Sequence, residues 1–133
     1  MCHIHTYAER KNPAGQWELI AEAEPFAAQS YALFGWLADV RNYAAVPCIT
    51  RCRDVPSDVS AGVRDEYREW DKDLHSASWL SLAELQSFDY DKPLKCAASE
   101  LRTYREFLGA RFFEDLCMLE QLRAERIVFW FDN

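Results

Sequence analysis

The chain is short of the residues that interrupt secondary structure, with four glycines and five prolines in 133 residues. That scarcity excludes collagen-like and low-complexity classes and leaves an ordinary globular protein. No apolar run approaches the length of a membrane span, so no contact with a membrane is expected. Positive charge is also scarce: 15 Lys and Arg stand against 22 Asp and Glu, a formal net charge of −7. A surface of that sign repels phosphates, which argues against non-specific binding to nucleic acid. It suits solubility, or contact with a basic protein surface. The five cysteines, Cys2, Cys48, Cys52, Cys96 and Cys117, cannot all pair and match no zinc spacing. Three residues separate Cys48 from Cys52, so the C-x-x-C redox motif is absent. With no leader-like segment at the start, all five are expected to be reduced thiols in a cytoplasmic protein.

What the chain does have is apolar and aromatic bulk, 50% apolar with 8 Phe, 6 Tyr and 5 Trp. At this length that predicts one domain, 1–133, with a firm core or an aromatic-lined pocket.

The spacing predicts an α+β fold: a small antiparallel sheet covered by four or five helices. Met1 to Arg10 alternates as a strand, with His3, His5, Tyr7 and Glu9 on one face and Cys2, Ile4, Thr6 and Ala8 on the other. Asn12-Pro13-Ala14-Gly15 is a turn signal, and Gln16 to Ala21 reads as the return strand of a hairpin. Ser30 caps a helix over Tyr31 to Val40, whose Leu33, Phe34, Trp36 and Leu37 make one apolar stripe. Arg41 to Asp58 has no period and reads as a long loop. Ser60 opens a short helix to about Trp70, and Trp70 to Trp79 reads as an ordered loop. Ser81-Leu82-Ala83-Glu84 is a capping box that starts a helix over Leu82 to Phe88. From Leu94 to about Glu125 apolar residues recur at helical spacing, with Gly109 as a kink or break. Ile127 to Phe131 is continuously apolar, as a central strand covered on both faces is. The two end strands are expected side by side, with the 70–79 segment against them.

Five stretches, CHIHTYAE, YALFGWLADVRN, DVPSDVS, WDKDLHSASWLSLAEL and VFWFDN, in this order and spacing, resemble a family of small, uncharacterised proteins encoded by bacteriophages and prophages. The likeness covers most of the chain. It departs at His3, where the family commonly has Asp, and at Ala77, where it commonly has a second His. A metal or catalytic step served by those two positions would be altered here. The family carries no agreed activity. The resemblance implies a setting: an accessory protein in the host cytoplasm, with counter-defence as a frequent role.

Three constellations carry candidate chemistry. Asp71, Asp73 and His75 are spaced two apart, so an extended segment puts them on one side, and His5 (with His3) joins them if the first strand lies close. Imidazoles and carboxylates together suit zinc, manganese or magnesium, which would polarise a phosphoryl oxygen or activate water. The bland reading makes Asp73 and Ser76 turn and cap residues and gives His75 a backbone carbonyl. The second constellation is Arg41, Arg51 and Arg53 among Tyr31, Tyr43 and Trp36, with Trp79 and Ser76 as further ligand-binding candidates. Guanidinium forks bind phosphate, and aromatic faces stack on bases. Here the bland reading is surface ion pairing with Asp39, Asp54 and Asp58. Third, Asp132 at the end of the last strand would approach Cys2 and His3 if the end strands pair antiparallel. No Ser or Cys sits in a nucleophile elbow, and His75-Ser76 adjacency does not make a triad.

Two functions follow as expectations. The first is a phage counter-defence protein that acts by binding, without a cofactor. It would sequester a nucleotide second messenger or block a bacterial defence protein. The alternative is an enzyme, a phosphoesterase or nuclease dependent on a divalent metal ion at His5, Asp71, Asp73 and His75. A structural role in the virion has only the phage setting behind it, and a homo-oligomer is left open.

Overall fold

The computed structural model describes residues 2–69, 73–95 and 101–132. A four-stranded antiparallel sheet runs through the centre in the order β2-β1-β6-β3. Its strands are β1 (His3–Lys11), β2 (Trp17–Leu19), β3 (Leu74–Ser81) and β6 (Arg126–Asp132). The two ends of the chain are therefore neighbours, in a register that sets His3 opposite Asp132 and Glu9 opposite Arg126. The remaining elements are α1 (Tyr31–Ala38), α2 (Ala61–Glu69), α3 (Leu82–Ser87), α4 (Tyr104–Leu108) and α5 (Ala110–Gln121), with a hairpin of β4 (Pro93–Lys95) and β5 (Leu101–Thr103). The fold is α+β, as the hydrophobic patterning predicts.

Strand alternation divides the sheet into two differently covered faces. Ile4, Ala8, Leu80, Ile127, Phe129 and Phe131 point into the main core, where α1, α3, α4 and α5 supply Phe34, Trp36, Leu85, Phe107, Phe112 and Leu119. Val128 and Trp130 point the other way and pack beneath α2, through Val63 and Tyr67. Because both of its faces are covered, β6 is apolar without alternation: Ile127 to Phe131 are all fully buried.

Two stretches differ from the expectation. Leu74–Ser81 is an edge strand rather than a loop. The pairing steps from His75 opposite Phe131 to Ser78 opposite Phe129, so β3 holds one residue more than its partner across this interval. That bulge, with Ser76 at φ 55°, breaks the period of two by which a strand is recognised. The segment expected as helix from Leu94 to Glu125 begins instead as the β4–β5 hairpin. Thr103 then caps α4 by a capping box with Glu106, and Gly109 at φ 84° separates α4 from α5. Trp70 and Asp71 lie outside the described residues.

Candidate functional site

The segment after α1 is shaped by its backbone. Ser30 caps the helix start by accepting the Leu33 N–H, and Asp39 closes the other end at φ 58°. Arg41 follows at φ 49°. Asn42 then braces the loop, donating to Asp39 Oδ1 and to the Val46 carbonyl at 2.8 Å each and accepting from Val46 N–H at 3.1 Å. Gly35 makes room for it: a Cβ there would stand 2.7 Å from Asn42 Oδ1. On this brace sit Tyr43, 69% exposed, and beside it Tyr31, 40% exposed. Their ring centroids are 6.0 Å apart. Arg41 Nη1 donates to Tyr43 Oη at 3.3 Å, and the Tyr43 and Cys2 hydrogen bonds push the guanidinium pKa up. One cation and two exposed phenol rings thus form a fixed patch.

Arg53 is engaged elsewhere. Arg53 forks onto Glu84 at 2.8 and 2.5 Å and lies 4.7 Å over the Trp79 ring. That hydrogen-bonded pairing, against the cost of burial, holds the Glu84 carboxyl down at about 2. Both Arg53 and Trp79 are thereby engaged within the fold. Arg51 is exposed, with no hydrogen bond or ion pair to either of them among the described residues. Ser76 occupies the β3 bulge, its hydroxyl 3.0 Å from His75 Nδ1.

The imidazoles are separated by the sheet itself. His5 faces the α2 side, where its Nε2 lies 2.6 Å from Asp132 Oδ2, and His3 Nδ1 is 3.7 Å from Asp132 Oδ1. Burial pushes the Asp132 carboxyl up, but the His5 hydrogen bond and the His5 and His3 charges outweigh it, and the carboxyl stays below the ordinary range. His75 pairs opposite Phe131 and stacks on that ring at 6.0 Å, so it sits on the opposite face from His5. Asp73 is exposed, and Asp71 lies outside the described residues. Among the described residues no three His, Cys, Asp or Glu side chains are grouped to hold a metal ion. The structure thus brings Asp132 to His3, as end-strand pairing predicts, and to His5 as well, and keeps His75 away from them.

A buried ion network escapes sequence reasoning. Glu9, fully buried, accepts from Arg126 Nε at 2.6 Å and from Ser60 N–H at 2.7 Å, while Arg126 Nη1 donates to Asp58 at 3.0 Å. The Arg126 guanidinium lies 3.7 Å over Trp17, and Trp17 Nε1 donates to Asp58 Oδ2 at 3.0 Å. Its members lie far apart in sequence, and Glu9, on the same strand face as His5 and Tyr7, gives no local sign of burial. Beside the start of β1 lies a pocket of about 460 Å³, lined by His5, Thr6, Tyr7, Gln29 and Glu66 among others. No protein-family model, no curated protein and no solved structure matches this chain.

Proposed function

We propose that this chain is a phage-encoded accessory protein of the host cytoplasm that acts by binding, in counter-defence, through the patch of Arg41, Tyr31 and Tyr43. The observation that carries the reading is the exposure of two tyrosine rings around one guanidinium on a braced loop. Tyrosine and arginine dominate binding hot spots because they combine large contact area with directed polar groups. The same trio suits a nucleotide, with phosphate on Arg41 and the base against a phenol ring. A bacterial defence protein is the other occupant of such a patch. Arg53 and Trp79 are occupied within the fold, so Arg41 carries the phosphate contact in this reading.

Thermal-shift screening against cyclic nucleotides and ADP-ribose derivatives tests the nucleotide version. A ligand at a hundredfold its dissociation constant adds ~2.7 kcal/mol to stability. The expected result is a rise in melting temperature that Arg41→Ala and Tyr43→Ala abolish. If no nucleotide raises it, capture of one defence protein from host lysate, lost in the same two variants, carries the protein-blocking version. No thermal shift and no captured protein that the two variants lose would together end the binding reading.

The competing reading is a metal-dependent phosphoesterase or nuclease. It would need a ligand beyond His3, His5 and Asp132, since no three such side chains among the described residues are grouped to hold a metal ion and the sheet keeps His75 apart. Elemental analysis of protein purified without chelator discriminates: stoichiometric metal lost in His5→Ala and Asp132→Ala would place it above the binder.

A further inference from the structure

The outer edge of β1 is only partly paired. From Glu9 onward β2 covers it. Nearer the start the covering is a side chain: Gln29 Oε1 accepts the Ile4 N–H at 2.8 Å, and Gln29 Nε2 donates to the Ile4 carbonyl at 3.1 Å. One carboxamide thus takes the place of a neighbouring strand. In an antiparallel strand alternate residues turn their N–H and C=O to the same side. Ile4 turns outward to Gln29, and Ala8 turns its carbonyl outward to the Ile20 N–H at 2.9 Å. Thr6, between them, therefore presents its own N–H and C=O outward, and no described residue meets either group. Its side-chain oxygen is buried without a hydrogen-bond partner as well.

Thr6 lines the 460 Å³ pocket on this outer edge, a volume in the range that holds small molecules. Its walls include the half-buried Leu19 and the exposed Ala21 and Ala27, which offer apolar surface to a flat ring. Among the described residues that line it, the charged members are carboxylates, Glu24 and Glu66, with neither Lys nor Arg. An anion is disfavoured there, whereas a neutral or cationic group is not.

We infer that the β1 edge at Thr6 is a binding site for a neutral or cationic planar ligand carrying an adjacent acceptor and donor, as a primary carboxamide or a nucleobase edge does. The acceptor takes the Thr6 N–H, the donor meets the Thr6 carbonyl, and the ring lies against Leu19 and Ala27. Gln29 on Ile4 is the intramolecular example of the same recognition, one alternation away. The site is separate from the Arg41 patch, and it stands whether or not that patch binds a nucleotide.

The test is an amide-detected NMR titration of the full chain with three probes at millimolar concentration: benzamide, adenosine and benzoate. The expected result is a saturable shift of the Thr6 amide with benzamide or adenosine and none with benzoate, the isosteric anion. A response to benzamide alone assigns the carboxamide; a response to adenosine alone assigns the base edge. Ala27→Trp, an exposed position on the pocket wall, fills the space and is expected to abolish the response. No response to either neutral probe would overturn the inference, and so would an equal response to benzoate or a response that survives Ala27→Trp.

Discussion

Replacing either partner of the Glu9–Arg126 pair should be severe, and the two replacements should not be equivalent. Arg126→Met leaves a fully buried carboxylate with a single donor, the Ser60 N–H at 2.7 Å. Glu9→Leu leaves a guanidinium that still reaches Asp58 at 3.0 Å, and the Asp58 side chain is 63% exposed to water. Stripping one partner from a buried pair costs about 3–5 kcal/mol, so Arg126→Met belongs at the upper end and Glu9→Leu at the lower. For a domain of this size the larger loss lowers the melting temperature by roughly 15–20 °C. The double variant removes both charges and leaves mainly the Ser60 N–H unmatched, a cost of about 1–3 kcal/mol. Urea unfolding of the four proteins, followed by circular dichroism, gives the cycle. The expected coupling between the two sites is about 6 kcal/mol, from singles summing to about 8 and a double near 2. Additive losses, or an Arg126→Met variant more stable than Glu9→Leu, would refute the reasoning.

Two further outcomes follow from the same contacts. The Glu84 carboxyl titrates at about 2 in the folded chain against an ordinary 4.5, so the Arg53 pairing stabilises fully above pH 4.5 and loses its contribution as pH falls toward 2. Urea midpoints of the parent and Arg53→Ala should therefore differ at neutral pH and converge through that window; a gap unchanged at low pH would contradict the pairing. Gly35→Ala sets a methyl carbon 2.7 Å from Asn42 Oδ1, forcing the brace to move. The expected stability loss is about 1–3 kcal/mol for overpacking, less up to ~1 kcal/mol regained from helix propensity. A melting temperature above the parent's would show that Asn42 does not hold the loop.

Much of the fold is legible in the sequence because its signals are local. Ser30 and the Ser81–Glu84 box mark helix starts by chemistry confined to one turn, and the unbroken run Ile127 to Phe131 marks a strand buried on both faces. The strand at Leu74–Ser81 is illegible because one extra residue at the bulge sends Ala77 and Ser78 out of phase with His75. The same phase shift undoes the grouping of His75 with His5, since spacing along a segment gives a common side only while the segment is regular. The arginine cluster fails for another reason. Nearness in sequence put Arg41, Arg51 and Arg53 together, but Arg53 takes its partner from Glu84, 31 residues away. The Glu9–Arg126 pair spans 117 residues, a separation that no local pattern encodes. Asp132 beside His3 is the exception among long-range contacts: it follows once the end strands are paired antiparallel.

That adjacency of the chain ends sets the register of β1, and with it the open edge at Thr6 and the approach of Cys2 to Arg41. Carbon-detected NMR titration of the Asp132 carboxyl, in the parent chain and in His5→Ala, measures it most directly. The expected result is an Asp132 that titrates below the usual carboxylate range in the parent and moves upward when the imidazole is removed. An Asp132 with an ordinary titration that ignores His5→Ala would mean that the first and last strands are not joined in this register.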